Sequence, residues 1–481
     1  MVSASASGLS FLVPELILLA AAAVSMFVHL MGRAKGRRAA GIVALAGLAA
    51  AGAALAFTPA GEGAILGGHL ARDSFALFFK AVILLAGGLS IVYAFRFFDL
   101  EGHEPAEAYY LILLSTIGMM AAVAALDLIT LYVAFELFAI PSYVLAGIFK
   151  KERRSAEAGV KYFFLGTLSS AVMLLGMALV FGLTGGTAYA GMGETLARAN
   201  TAIVLVAMIL FFAGLFFKMA FVPFHMWAPD VYEGAPTALV IFLSTAPKAA
   251  VLAVLVRAMT DLFGGLSLHW THVFQFAALA TMFWGNLAAL AQKSVKRMMA
   301  YSSIAQAGYL AIGLAAWGDG ARQAVLFYAL AYVFMNAAGF GLVLLVDRNG
   351  RFGEDLDDLR GLVRRAPLAA GSVIIILLSL TGIPPTAGFV GKYLLFAAAV
   401  DHKLYVLAVA GALNSAISLF YYFRIGKAMF MEENPQADGG NGEHSSRLVT
   451  VLLVLSAAAL LAAGILPSLV LSWTASSLLG R

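Results

Sequence analysis

Four ionisable residues lie where the chain carries few other charges. Glu136 sits in LYVAFELFAIPSY, Lys218 in FFKMAFVPFH, Lys248 in STAPKAAV and Lys392 in GFVGKYLL. Each is too deep in its apolar run to reach an interface comfortably; Glu136 is about nine residues into its helix, roughly 14 Å at 1.5 Å per residue. A charged amine at a bilayer centre costs about 2.5–3.5 kcal/mol even on the lenient insertion scale. Groups that bear this cost usually face a bundle interior or a wet cavity, and they mark ion pathways. Their chemistry is acid–base. Desolvation disfavours the ammonium form of a lysine, and a nearby carboxylate favours it. With Glu136 close, Lys218 holds its proton; with Glu136 withdrawn, the amine tends to release it. An ion pair that opens and closes can therefore control proton transfer.

Other groups allow two readings each. Glu157 and Lys161 are four residues apart, so they can pair on one helix face. They lie beside a basic loop, and fit either a surface salt bridge or the inner mouth of a proton path. His225 follows Pro223 and fits either a satisfied structural histidine or a conducting one. Lys80 is about seven residues into its span and reads as a side chain that snorkels to the interface. Asp230 and Glu233 read as helix-end caps. The aromatic side chains read as packing or lipid-facing residues.

The elements that must position these groups are membrane-spanning helices. Of 481 residues, 62% are hydrophobic and 12% charged, about half the charge of an average soluble domain. The fold class is an all-α polytopic membrane protein. A span needs about 17–25 apolar residues, and by that rule the chain holds about 14. The N-terminal MVSASASGLSFLVPELILLAAAAV lacks a basic leader and reads as the first span. Spans seven (200–233) and twelve (368–400) are long and broken, at FVPFH and TGIPPTAGF. Proline inside a membrane is tolerated where protein or water replaces the lost bond, and broken helices build ion sites. The two breaks are five spans apart, an odd number, so a repeat of spans 4–8 in spans 9–13 would be inverted. PSYVLAGI (141–148) and AGYLAIGL (307–314) are weakly alike, as such a repeat requires. The boundaries are then an N-terminal three-helix segment (1–105), two repeats (106–262 and 263–430), and a loop with a last helix (431–481). Loop 348–367 reads as a short amphipathic surface helix and 431–447 as a flexible segment. With the N-terminus outside, inside loops hold 20 Lys and Arg, and outside loops and ends hold six. That bias puts both termini on the outer side. The net charge of +5 reflects these loops, not nucleic-acid binding. The chain has no cysteine, which excludes cysteine-ligated iron–sulfur clusters, thiol chemistry and disulfides within it.

Three stretches carry a family resemblance: FVPFHMWAPDVYEGAPTALVIFLSTAPKAA (221–250), NLAALAQKSVKRMMAYSSIAQAGYLAIG (286–313) and LSLTGIPPTAGFVGKYLLF (378–396). They resemble subunit N of the proton-pumping NADH-quinone oxidoreductases, respiratory complex I, in the antiporter-like membrane subunit family. The resemblance runs from about 106 to 430. It implies proton translocation driven by NADH oxidation and quinone reduction elsewhere. Glu136 matches the glutamate paired with Lys218, Lys248 the central connecting lysine, and Lys392 the lysine of the outer half-channel. Lys161 and Glu157 match a charged pair near the inner mouth, and His225 a conducting histidine. The sequence departs from the pattern at Gln306, where a histidine is expected. Glutamine can hold a water wire but cannot titrate near neutral pH. No cofactor is implied in this chain; NADH, FMN, iron–sulfur clusters and quinone are expected in partner subunits. The expected partners are antiporter-like subunit M and small subunits such as K and J, within a bacterial inner membrane. Two alternatives stay open: an Mrp-type cation/proton antiporter subunit, or the equivalent pump subunit of an F420H2- or ferredoxin-linked complex. A third is a membrane spacer with no proton path.

Overall fold

A bilayer leaves so apolar a chain one economical solution, helices whose backbone N–H and C=O groups pair within the segment. The structure, a computed structural model, describes residues 10–59, 61, 63–101, 105–348, 351–433 and 443–478, and is largely helical. Its first helix, α1 (Val13–Ala56), folds back on itself. Ser25 Oγ donates to the Ala40 carbonyl at 3.0 Å, whereas a straight helix would hold residues so spaced about 22 Å apart. The hairpin arms are Val13–Gly32 and Gly36–Ala56. Then come α2 (Ser74–Glu101), α3 (Glu107–Ala124), α4 (Leu128–Ala146), α5 (Arg153–Thr184), α6 (Met192–Arg198), α7 (Thr201–Met219), α8 (Trp227–Gly234) and α9 (Thr237–Arg257). The second half holds α10 (Ser267–Leu290), α11 (Val295–Ala315), α12 (Asp319–Gly341), α13 (Leu362–Arg365), α14 (Pro367–Thr381), α15 (Ala387–Asp401), α16 (Tyr405–Met431), α17 (Arg447–Ile465) and α18 (Pro467–Ser476).

Among the described residues, 12 helices are long and apolar enough to cross a membrane, against the expected 14. The difference has two physical sources. Helix α11 is polar, with Lys296 and Arg297 in its first turn and Ser302, Ser303 and Gln306 further on, and it is buried almost throughout. Helices α14 and α15 have 15 residues each, about 22 Å, too short to cross alone. The bundle axis is α9, buried at every position from Thr237 to Arg257. It packs against α2, α3, α7 and α12, so the lysine it carries is far from lipid.

Two breaks interrupt the bundle. Helix α7 ends at Ala220 in the left-handed region (φ +59°), with turns through 221–226 before α8. Helix α14 ends at Gly382 (φ +90°), and α15 starts after Thr386. Gly388 is fixed by proximity: a β-carbon there would lie 1.8 Å from the Ser379 carbonyl oxygen. Gly388→Ala must push α14 and α15 apart, and overpacking of this kind costs about 1–3 kcal/mol or more. The expected outcome is a marked drop in membrane-inserted chain on quantitative immunoblots, with thermal aggregation at lower temperature.

Loop 348–367 departs from the expected amphipathic helix. Val346–Arg348 pairs antiparallel with Arg351–Phe352 and with Glu443–Ser445. A 3-10 turn at Leu356–Leu359 follows, capped reciprocally by Asp355 and Asp358. Gly361 then turns left-handed (φ +66°) and leaves α13 a single turn. Of the expected flexible segment, 434–442 lies outside the described residues; its end is the strand Glu443–Ser445.

Candidate proton-relay site

Lys218 occupies the last turn of α7, where unpaired carbonyls give the helix end a partial negative charge that favours an ammonium. The side chain is 2% exposed. Its Nζ donates to the Tyr162 hydroxyl at 3.2 Å and lies 4.4 and 4.6 Å from the ring centres of Tyr143 and Tyr162. Tyr162 is held flat against Trp227, with centroids 4.4 Å apart and planes 8° apart. The Trp227 indole donates to the Phe217 carbonyl at 2.8 Å, which closes the break over the lysine. Glu136 is not within the 4.0 Å of a salt bridge, and its Oε1 is a buried acceptor without a protein partner. Glu136 and Lys218 are thus not in salt-bridge contact in this structure. The amine rests on tyrosine faces.

Lys248 sits mid-way along α9, 2% exposed, and donates to the carbonyl and hydroxyl of Ser303 at 2.8 and 2.9 Å. One turn earlier, Ser244 accepts from Asn336 Nδ2 at 2.7 Å on its hydroxyl and from the Tyr332 hydroxyl at 2.9 Å on its carbonyl. From Ser303, α11 leads on to Gln306. The Gln306 amide donates to the Leu380 carbonyl at 3.0 Å and the Tyr422 hydroxyl at 3.3 Å, and accepts from the Tyr328 hydroxyl. Leu380 is also the end of the line from the other side. Lys392 Nζ donates to the Leu380 and Thr381 carbonyls, both at 2.9 Å, and lies 4.0 Å from the Tyr309 ring centre. Those carbonyls are in the last turn of α14, freed by the break. So Gln306 and Lys392 share one acceptor, and both break-associated lysines lie at the carbonyl end of a half-helix.

The Glu157–Lys161 pair belongs to a larger ionic cluster. Lys161 pairs with Glu157 at 2.8 Å and with Asp230 at 2.9 Å. Asp230 in turn receives Arg297 at 3.0 Å, and Arg297 also binds Glu233. Asp230 and Glu233, expected as simple caps, therefore tie α8 to α5 and α11. A cavity of about 200 Å³ reaches Glu157, Lys161 and Asp230. Beside it lies a cavity of about 570 Å³, with Glu101, Glu152, Glu233, Glu354 and Asp355 in its wall beside Arg154 and Lys296. Asp355 is held above the usual carboxylate range, first by burial and then by Asp358, Glu354 and Asp357.

His225 stands apart from the lysine row, and the expectation for Lys80 changes. His225 lies in the α7–α8 break, 7% exposed, against Trp284 of α10, with centroids 5.4 Å apart. Its Nδ1 has no protein partner, and none of the hydrogen bonds along the lysine line passes through it. Lys80 does not snorkel: it is 1% exposed and bound to Glu15 at 2.7 Å, because the α1 hairpin covers the α2 face that would otherwise meet lipid. Sequence reasoning missed Glu15, Tyr143, Tyr162, Ser303, Tyr328 and Tyr422. Glu15 was detectable as a lone carboxylate in the first span. The hydroxyls had no signal beyond their occurrence in apolar helices.

The class of protein now follows. Residues 125–418 match the family described as NADH:quinone oxidoreductase/Mrp antiporter, TM. The chain is similar to a chain of the solved respiratory complex I from Thermus thermophilus with bound aureothin (TM-score 0.81, 32% identity, 96% of this chain and 99% of that one). It is also similar to a chain of the membrane-bound sulfane sulfur reductase, an archaeal respiratory membrane complex (TM-score 0.84, 25% identity, 98% and 97%). Among sequences, NADH-quinone oxidoreductase subunit N of Trichlorobacter lovleyi is 38% identical over 97% of this chain and 96% of its own. Subunit N of Desulforamulus reducens is 38% identical over 94% of each. The chain belongs to the NADH-quinone oxidoreductase subunit N family.

Proposed function

We propose that this chain is the proton-translocating subunit N of an NADH-quinone oxidoreductase in a bacterial inner membrane. The observation that carries the reading is the buried line Lys248–Ser303–Gln306–Leu380–Lys392, which ends on the freed carbonyls of a broken helix. Its two hydrogen-bonded parts, Lys248–Ser303 and Gln306–Leu380–Lys392, are joined by one turn of α11, and a structural ion pair needs no such row. Protons enter by the Glu157–Lys161–Asp230 cluster, reach the Lys218 amine, pass to Lys248, and leave by Lys392. Glu136 sets how firmly Lys218 holds its proton. Buried acceptors such as Glu136 Oε1 and Asn336 Oδ1 are suited to bonding the waters that carry protons between amines. The breaks, five spans apart with a lysine at each, support reading 106–262 and 263–430 as inverted copies.

The redox chemistry belongs to other subunits, where NADH, FMN, iron–sulfur clusters and quinone bind. Membrane neighbours, subunit M and small subunits such as K and J, bring the coupling through helix contacts. Both termini face the periplasm. The test uses inverted membrane vesicles containing the assembled complex. NADH drives proton uptake that Lys392→Met lowers by about tenfold or more, and sodium changes neither rate. Sodium-dependent exchange by the purified chain in liposomes would instead make it an Mrp-type antiporter.

A further inference from the structure

One buried amide stands beside the relay without a part in it. Asn286 of α10 is fully enclosed, at 0% exposure. Its Nδ2 donates to the Tyr309 hydroxyl at 3.3 Å and to Asn414 Oδ1 at 3.0 Å, and its Oδ1 accepts from the Tyr421 hydroxyl at 3.0 Å. Asn414 is held in turn, donating to the Ala410 carbonyl one turn back at 2.9 Å. One side chain thus ties α10 to α11 and α16. The reach is short because Gly285 lets α10 lie against α11: a β-carbon there would be 2.6 Å from the Ala305 nitrogen. Buried polar groups satisfied in this way fix one arrangement of the groups that share them. What they fix here is a ring. A tyrosine ring turns in a broad χ2 well, and the bond from Asn286 anchors its far end.

The anchored ring faces the outer lysine. Lys392 Nζ lies 4.0 Å from the centre of the Tyr309 ring. An ammonium has three donors. The Leu380 and Thr381 carbonyls take two of them, both at 2.9 Å, which leaves the ring face for the third. A π face attracts a cation and repels the lone pair of a neutral amine, so the placing of the ring sets how firmly the amine keeps its proton. Among the described residues Lys392 makes no ion pair. Of the helices packed on α15, α12 presents Tyr328 and Tyr332, whose hydroxyls go to Gln306 and the Ser244 carbonyl, and carries the paired Asp319 and Arg322 in its first turn. Helix α14 presents carbonyls. Helix α16 presents Tyr422, bonded to Ser302 and Gln306, and binds its Arg424 and Lys427 far along, to the Leu290 carbonyl and Glu432. Helix α17 has no titratable side chain after Arg447 at its start. On α15 itself Tyr393 is exposed, and Asp401 is nine residues, about 14 Å, further on. The first break has a ring in the same place. Tyr143 and Tyr309 are the third residues of the two like stretches PSYVLAGI and AGYLAIGL, and the Tyr143 ring centre is 4.4 Å from Lys218 Nζ. The Tyr143 hydroxyl has no partner among the described residues, so the anchor belongs to the second break. We propose that Tyr309 is a positioning residue for Lys392 and that Asn286, by anchoring its hydroxyl, holds the ring face against the amine. The inference rests on the proton-translocation reading above and adds what tunes its last lysine.

The test is the pH profile of proton uptake per NADH in inverted vesicles containing the assembled complex. Tyr309→Leu removes the face, and the pH above which pumping falls is expected to drop by about one unit, the size of a desolvated cation–π contact. Asn286→Ala keeps the ring but frees it, and is expected to move that alkaline limb the same way by less. In the double variant there is no ring to hold, so the limb is expected where Tyr309→Leu alone puts it. A merely structural role would lower the amount of complex and leave the limb in place. A Tyr309→Leu limb at or above the parent's position overturns the proposal. An Asn286→Ala limb that does not move, or a shift that adds to that of Tyr309→Leu, overturns the anchor. If either variant does not assemble, Tyr309→Phe decides, because it keeps the ring and removes only the anchored hydroxyl. A limb displaced toward lower pH then supports the proposal, and one at or above the parent's position overturns it. Lys392→Met in the same vesicles keeps the questions apart, since normal pumping there would mean that the relay reading itself had failed.

Discussion

Lys218→Arg gives a complex that assembles and has lost about two orders of magnitude of its coupled proton translocation. The guanidinium keeps a positive charge at the carbonyl end of α7, and it stacks on tyrosine faces at least as well as an ammonium. A lysine kept for structure, a cation over Tyr143 and Tyr162, would be largely replaced by arginine. A lysine kept for proton transfer would not, because arginine cannot be deprotonated in a protein. The larger group costs about 1–3 kcal/mol in so tight a box, so the amount of assembled complex must be measured in parallel. Lys218→Ala loses both roles and is expected to be no better. The measurement is NADH-driven dye quenching in inverted vesicles, divided by NADH oxidised. Arginine pumping at near wild-type efficiency would end the relay role of this residue.

The sequence revealed the costly residues and left their partners hidden, for a physical reason. An amine in an apolar run is conspicuous because the bilayer penalises it, so Lys218, Lys248 and Lys392 stand out without any contact information. Proline and glycine mark the breaks equally well, because few other residues tolerate Gly382's left-handed backbone or Gly388's close approach. A tyrosine or serine costs little in a helix and looks the same whether it packs or donates. Hence Tyr162, Ser303 and Tyr328 became visible only when α5, α9, α11 and α12 were set side by side. Lys80 shows the opposite failure. Its depth along α2 was readable, but the α1 hairpin that hides it depends on a tertiary contact. Polar α11, read from the sequence as a span, is not among the 12 helices apolar enough to cross, because a helix enclosed by others need not be apolar.

The breaks also explain why lysine, not a carboxylate, suits these positions. A half-helix ends in carbonyls that accept but cannot donate, equivalent to about half a negative charge. Lys218 sits in such an end, and Lys392 reaches across a break to another. The field favours the ammonium while the surroundings disfavour any charge. An amine between two such opposed influences changes protonation in response to a modest movement of a neighbour. Glu136, not in salt-bridge contact in this structure, is the neighbour proposed for that part.

Gln306→Leu tests whether the two halves communicate through side chains, and is expected to cut proton translocation about tenfold or more while Gln306→His does not. Leucine strands the Tyr328 hydroxyl and removes one donor each from the Tyr422 hydroxyl, which keeps Ser302, and the Leu380 carbonyl, which keeps Lys392. Each buried polar group left unpaired costs about 1–3 kcal/mol, and the line from Lys248 to Lys392 loses its middle. Histidine can keep the bond to the Leu380 carbonyl and adds a group that titrates below the ordinary imidazole value of about 6.5, because burial disfavours its charged form. The sign of its effect follows from Lys392, which shares that carbonyl. Below the imidazole range the introduced ring is a cation beside a lysine and opposes proton transfer. Above it the neutral ring both donates and accepts. The variant is therefore expected to pump normally on the alkaline side and to slow as pH falls, a slope absent from the parent chain. Pumping ratios measured across that range for the parent, leucine and histidine forms decide the matter. If the leucine form pumps like the parent, proton transfer between Lys248 and Lys392 does not use this segment.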